Sequence, residues 1–287
     1  MKLQLLTATA LLALSTAAFA DGHFDRTLNV SSTPDLYVNN GSGNITVHAG
    51  SGNQIHVVAH IKSNWNMFGM SGDNSSQIHQ IEENPPIAQD GNTVHIGFTS
   101  GHHDEYNHIS IDYDITTPTG VALNLHSGSG DVSTEDVGRF LTASSGSGNI
   151  RAHGVSGPAD LQSGSGDITV DERTGGDVKA RTGSGNVHIH GFNGTLNAHS
   201  GSGDIDADGH LTGSAMLESG SGNVRLHLGA DAHFDLEAST GSGDIRVRYP
   251  NAPQQDDHSR HHLTAPINGG GPPLQIRTGS GDVEIAS

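Results

Sequence analysis

Six residues at nearly equal intervals, Glu135, His153, Asp171, His190, Asp208 and His227, alternate acid with imidazole along the chain. Imidazole beside carboxylate can bind a transition metal such as Zn or Ni, can trade protons near neutral pH, or can form a solvated charge ladder. A dedicated metal site needs three or four converging ligands. A single-file column offers each ion only its nearest neighbours, so the ladder is the expected reading. Carboxylate neighbours favour protonated imidazole and would raise its pKa. Stability drawn from such a column would be fullest in mild acid and would fade as pH rises through that raised pKa. Denser groups stand at His102, His103 and His108 with Asp104 and Glu105, and at His258, His261 and His262 with Asp256 and Asp257. Both fall in loop-like sequence, where they imply adventitious metal affinity and not a built site.

A second set of acids is tied to glycine. The string G-S-G-[DN]-[IV] occurs nine times, and seven copies follow one another with their Asx residues at Asp131, Asn149, Asp167, Asn186, Asp204, Asn223 and Asp244. G-S-G-D resembles a calcium-binding β-roll repeat, but that repeat has a nonapeptide period and GGxGxD spacing, and alternate copies here carry Asn. The Gly-rich string is no nucleotide loop, because it lacks Lys-[ST] and a following helix. β-Helical polysaccharide lyases and hydrolases need carboxylates in a groove that breaks the repeat, whereas these acids sit at repeat-equivalent positions. No residue is therefore assigned a catalytic, cofactor-binding or metal-binding role.

The spacing itself dictates the elements that hold these residues. Steps of 18, 18, 19, 18, 19 and 21 residues separate the seven Asx positions. A fixed period near 19 with Gly-rich corners marks stacked supersecondary units. In Ser163 to Thr182, Ile168 and Val170 alternate with Thr169 and Asp171, and Val178, Ala180 and Thr182 alternate with Lys179 and Arg181. Period-2 alternation gives strands with one buried face, so each turn holds two short strands. The expected fold is an all-β parallel solenoid, right-handed by the general rule for parallel crossovers. Its seven copies would stack in chain order, about 4.8 Å apart. Gly at the corners would supply positive φ or close backbone approach. Asp/Asn alternation would keep like charges two steps apart and allow amide–carboxylate hydrogen bonds. The narrow, aliphatic interior leaves little room for aromatics, which make up 4% of the chain. No segment shows helical spacing.

Residues 1–20 carry one Lys, an apolar run and Ala18-Phe19-Ala20 before Asp21, the pattern of a secretory signal peptide cleaved after Ala20. Residues 21–120 then form an N-terminal β region, or cap, with an insertion at 63–92. The repeat solenoid runs over 121–287 with a loop insertion at 250–273. Absence of Cys excludes a disulfide framework and a lipid-anchoring Cys after the leader. A formal net charge of −18 disfavours nucleic acid and anionic lipid. No later segment could span a membrane as a helix, so the processed chain is expected to be periplasmic, or exported to the cell surface.

Phe24-Asp-Arg-Thr-Leu-Asn-Val, Leu36-Tyr-Val-Asn-Asn-Gly-Ser-Gly-Asn-Ile-Thr-Val and Gln54-Ile-His-Val-Val-Ala resemble the opening of DUF4097-type putative adhesin domains. Ile111-Asp-Tyr-Asp-Ile-Thr-Thr-Pro, Gly120-Val-Ala-Leu-Asn-Leu and the G-[DN]-[IV] repeats resemble the middle of that family. The resemblance covers nearly all of the processed chain and implies a parallel β-solenoid of bacterial envelope proteins. It transfers no catalytic or binding residues and no cofactor. The functional expectation is a non-enzymatic, adhesin-like binding or scaffolding module whose partner is an envelope protein or glycan. The alternative is a carbohydrate-active β-helix enzyme, marked by a groove with two carboxylates about 5–10 Å apart.

Overall fold

The computed structural model describes residues 21–63, 75–97, 109–249, 252 and 260–287. The leader expected over 1–20, the histidine group at 102–108, and His258 with Asp256 and Asp257 lie outside the described residues.

Aliphatic residues at every second position turn inward, as with Ile168 and Val170, both fully buried. Each such side chain removed from water contributes about 1.5–3 kcal/mol, and only stacking of successive turns covers them. Two parallel sheets face each other across this core. The first runs through Thr93–Gly97, Asp35–Asn40, Ala122–Ser127, Phe140–Ser145, Ala159–Ser163 and Val178–Thr182. It continues through the second halves of the long strands Val187–Ser200 and Ile205–Ser219, then Pro273–Thr278 and Phe234–Thr240. The second runs through Ile109–Pro118, Ile45–Gly50, Val132–Glu135, Ile150–Val155 and Ile168–Glu172. It continues through the first halves of the two long strands, then Val224–Leu228, Val283–Ala286 and Ile245–Arg248. The parallel β-solenoid expected from the period is the observed fold, and its parallel strands already begin at Asp35.

Antiparallel strands cover the ends, where parallel edges would otherwise be left unpaired. Asp21–Asn29 pairs with Gln54–Ser63, which pairs with Ile109–Pro118, and Ile87–Asp90 pairs with Thr93–Gly97. A helix, Ser75–Glu83, buries Ile78 and Ile81 against this end. It contradicts the expectation of no helix, because two apolar residues three apart are too short a signal to show periodicity. It sits so close to Gly22 that a Cβ there would lie 2.3 Å from Ile78 Cγ2. At the other end His262–Ile267, inside the segment expected as a loop, forms a strand antiparallel to Phe234–Thr240.

The expected chain order of stacking fails at one place. The turn carrying Asp282 lies between those of Asn223 and Asp244, pairing with Val224–Leu228 on one side and Ile245–Arg248 on the other. The buried aromatics occupy ends and corners. Phe24 meets Tyr113 edge-on at 6.4 Å near the N-terminal end, Phe234 meets Tyr249 at 5.5 Å near the other, and Phe192 fills a corner.

Both reasons for glycine hold, at different corners. In the G-S-G corners from Gly128 onward φ is not positive and close approach decides, whereas Gly43 has φ 108° and the opposite corners carry positive φ, as at Gly154 (68°), Gly175 (78°) and Gly191 (74°). A Cβ on Gly148 would stand 2.1 Å from the carbonyl oxygen of Gly130 on the turn below. Stacked backbones leave no space for a side chain.

Candidate functional site

Two rails run the length of each corner. The inner rail is a row of buried hydroxyls at the residue before each G-S-G. Ser163 Oγ donates to Gly148 O at 2.9 Å and accepts from Gly166 N at 2.8 Å. The same pair of bonds recurs at Ser127, Ser145, Thr182, Ser200 and Ser219, each time joining its own turn to its neighbour. Asn40 starts the row with its amide, donating to Gly43 O and Ile111 O. Sequence reasoning counted these residues only as inward strand positions. Hydroxyls preceding every G-S-G corner after the first, in an otherwise aliphatic column, were the available signal.

The outer rail is the Asx column. Each backbone N–H donates to Oδ1 of the Asx below, as Asn149 does to Asp131 (2.8 Å), Asp167 to Asn149 (2.9 Å) and Asn186 to Asp167 (2.7 Å). This main-chain bond, and not the expected amide–carboxylate bond, is the regular contact; side-chain amide contacts occur at Asn149 and Asn223, at 3.3–3.4 Å. The column also reaches past the expected copies, through Asn44 to Asp112 at one end. At the other end the displaced turn makes Asp282 and Asp244 neighbours. Arg246 bridges them, with Nη1 2.8 Å from Asp282 and Nη2 2.9 Å from Asp244. The backbone N–H of Asp244 and the Arg246 guanidinium hold the Asp282 carboxyl below the usual range. Burial raises Asp131 and Asp112, but the N–H of the next turn together with Arg151 or Lys62 outweighs it, leaving both lowered.

The acid–imidazole column lies on the outer face of the second sheet, with its residues paired in the expected order and His48 added next to Glu135. His153 bonds Asp171, His190 Nδ1 lies 2.6 Å from Asp208, and His48 Nδ1 lies 3.2 Å from Glu135. All are solvent-facing pairs. Among the described residues no three His, Asp or Glu side chains converge to hold a metal ion. His261 and His262 are both exposed; His262 lies 3.4 Å from Thr264 Oγ1.

Glu172 is different in kind. It occupies the inward parity of its strand, beside Val155 of the neighbouring turn. Both carboxyl oxygens are enclosed without a hydrogen-bond partner, and burial pushes the group up to about 7. The repeat pattern disguised it, since neighbouring turns carry apolar residues there.

The outer face of the first sheet mixes amides and hydroxyls with charged side chains, among them the Lys179–Asp160 and Arg277–Glu237 pairs. Asn124, Thr142, Asn197 and Gln275 share one column with Met216, and His126, Ser144 and Gln162 share the next. Near its C-terminal end lies a groove of about 570 Å³. Thr195, Asn197, Ser214, Gln275 and Thr264 surround exposed Met216 and Pro273, with Asp235 and Glu237 along one side. Arg277 and then Gln275 hydrogen-bond Glu237 and hold its carboxyl below the usual range. This groove combines a mainly apolar lining with a few polar groups that could orient a small ligand. Sequence reasoning missed it, because its lining comes from turns distant in the chain.

Among the described residues no helix is long and apolar enough to cross a membrane. The model of the family described as Toastrack DUF4097 matches residues 27–286. A Parabacteroides distasonis structure described as a putative lipid binding protein is 14% identical, with 93% of this chain and 97% of that one covered and a TM-score of 0.47. A putative adhesin from Bacteroides fragilis is 14% identical, over 92% of this chain and 96% of that one, with a TM-score of 0.38. A putative adhesin from Parabacteroides distasonis is 13% identical, over 93% and 98%, with a TM-score of 0.35. No curated protein matches the chain.

Proposed function

Since the chain belongs to the Toastrack DUF4097 family, we propose that it is an exported, non-enzymatic, adhesin-like module of the bacterial envelope that binds an uncharged glycan in the groove on its first sheet. The groove supports this reading: Asn197, Gln275, Thr195, Ser214 and Thr264 offer donors and acceptors around Met216 and Pro273. Asp235 and Glu237 add acceptors for sugar hydroxyls and, with a net charge of −18, disfavour an anionic ligand. Export rests on Lys2, the apolar run and Ala18-Phe19-Ala20.

A glycan array with the processed chain tests the binding. Asn197→Ala with Gln275→Ala should weaken capture about tenfold, since each lost hydrogen bond is worth about 0.5–1.5 kcal/mol. Capture that is absent, or indifferent to both substitutions, would sink the reading. Export is checked separately by finding Asp21 as the N-terminus of the protein in the extracytoplasmic fraction.

One observation bears on the enzymatic alternative. Asp235 and Glu237 stand two apart on one strand and line the same groove, about 7 Å apart along the backbone, within the range for a glycosidase pair. A general acid must keep its proton near neutral pH, and the contacts of Glu237 with Arg277 and Gln275 work against that. Release of reducing ends from a bound glycan, abolished by Asp235→Asn, would replace the binding reading with this one.

A further inference from the structure

The last two turns of the solenoid are out of chain order, and the way they interlock describes a slot. One wall is Ile205–Ser219 with Val224–Leu228, and the other is Phe234–Thr240 with Ile245–Arg248. The occupant is the C-terminal turn, Pro273–Thr278 and Val283–Ala286. It is bonded on both sides by the rails used elsewhere. Thr278 Oγ1 donates to Gly222 O and Thr240 Oγ1 to Gly281 O, both at 2.8 Å; Asp282 N donates to Asn223 Oδ1 and Asp244 N to Asp282 Oδ1, both at 2.9 Å.

Beyond side-chain contacts of its own, Arg246 with Asp282, Arg248 with Glu284, and Gln275 and Arg277 with Glu237, the slot reads what every turn carries. T-G-S-G-D-[IV] is present both at Thr240 to Ile245, in the wall, and at Thr278 to Val283, in the occupant. Leu274 lies against Ala215 on one side and Leu236 on the other, the register that any two adjacent turns share. Nothing in these contacts distinguishes the chain's own C-terminus from that of another copy.

The tether decides which copy supplies the turn. Between Ile267 and Pro273 the chain reverses through Asn268, Gly269 and Gly270, at φ 51°, 94° and 83°. Asn268 Nδ2 is held by Ala230 O and Ala232 O at 3.1 and 2.8 Å. Residues 268–272, if extended, span about 17 Å, enough to carry the terminal turn out of its own slot. Without it, Asn223 and Asp244 would face each other. Asn223 and Asp244 are an amide and a carboxylate, the pair that stacks throughout the column, whereas the intercalated state makes Asp282 and Asp244 neighbours and needs Arg246 between them. Exchange of an identical element between protomers needs only a hinge that lets the element leave its own place.

We propose that residues 273–287 form an exchangeable turn, and that the slot of one molecule accepts this segment from a second copy of the chain. Pro273 and Gln275 lie in the groove described above, so in an exchanged dimer each groove is completed by the other molecule. The exchange itself does not depend on what the groove binds.

The absence of Cys makes the test clean. Met216 and Gln275 are direct partners across the slot wall. A Met216→Cys copy and an isotope-labelled Gln275→Cys copy are co-expressed, purified and treated with a short bismaleimide. Exchange gives a light–heavy 216–275 cross-link, read by mass spectrometry, at least fivefold above a Thr142→Cys plus Gln275→Cys control. Deleting Gly269 to Gly271, so that the tether cannot reverse, should move the population from monomer to dimer in light scattering. Absence of the light–heavy link, while a molecule carrying both cysteines links within itself, overturns the proposal whether or not the shortened tether folds.

Discussion

From Gly128 onward each G-S-G corner is preceded by one buried hydroxyl and contains one exposed hydroxyl, and the difference can be measured within a single turn. Ser163 is 3% exposed and bridges Gly148 O and Gly166 N, whereas Ser165, two residues on, is exposed. Ser163→Ala strands a buried carbonyl and a buried N–H. Each such group costs about 1–3 kcal/mol, so the substitution should destabilise by about 2–6 kcal/mol. Ser165→Ala should stay within about 0.5 kcal/mol of the parent, as for surface changes generally. Thr already occupies the equivalent site at Thr182 with both bonds intact, so Ser163→Thr should retain most of the stability. Urea and thermal unfolding read the size; at about 2–4 °C per kcal/mol for a chain of this length, Ser163→Ala should melt about 4–24 °C lower. Because turns in a solenoid contact mainly their neighbours, hydrogen exchange should quicken first at Gly166 and the adjoining strands. If Ser163→Ala is no worse than Ser165→Ala, the hydroxyl rail is ornament, and stacking of the aliphatic column alone holds the turns.

Gly148→Ala should cost about 3 kcal/mol or more, because its Cβ would lie 2.1 Å from Gly130 O, while Gly41→Ala, with nothing within 4 Å, should be tolerated; comparison of the two melting curves checks it. Glu172, raised by burial to about 7, binds a proton in the folded state that the unfolded chain has already released. Its contribution is therefore fullest below about pH 4.5 and is lost as pH rises through 7, and Glu172→Gln should be the more stable protein at pH 8. Discounted for partial exposure, the gain should be about 1–2 kcal/mol, read as the difference between the two stability–pH profiles. Arg246→Gln leaves Asp282 and Asp244 facing each other, so melting should fall at low salt, recover in high salt, and recover again when Asp244→Asn is added.

The architecture was legible because one signal repeats at every turn: Gly at the two close approaches, Asx after it, aliphatics at alternate positions. Ser163 and Asp131 could be placed on a strand and a corner from the sequence alone. Their roles could not, since a hydroxyl that donates one turn down looks like any polar residue in a strand. Glu172 was hidden by register, because a small bulge beside Gly154 brings it opposite Val155. The groove was hidden by topology, because Asn197, Met216, Gln275 and Glu237 become neighbours only after the C-terminal turn returns inward.

That return does leave a trace in the spacing. Steps of 18 or 19 residues hold from Asp131 to Asn223, and the next, to Asp244, is 21. Two or three added residues span about 7–10 Å in extended chain, enough to climb one additional strand spacing of about 4.8 Å. A uniform repeat would have required Asp244 to stack on Asn223. The longer step permits one turn to be skipped, and the T-G-S-G-D-V copy at the C-terminus is what fills the skipped place. Alternation of Asp and Asn, unbroken over the seven consecutive copies, is broken in space at this point alone among the described turns. Arg246 stands at that break. Arg151 and Arg225 also reach an Asp of the column in turns that are in order, so the local mark of the inserted turn is an arginine that bridges two successive Asp residues of the column, as Arg246 does.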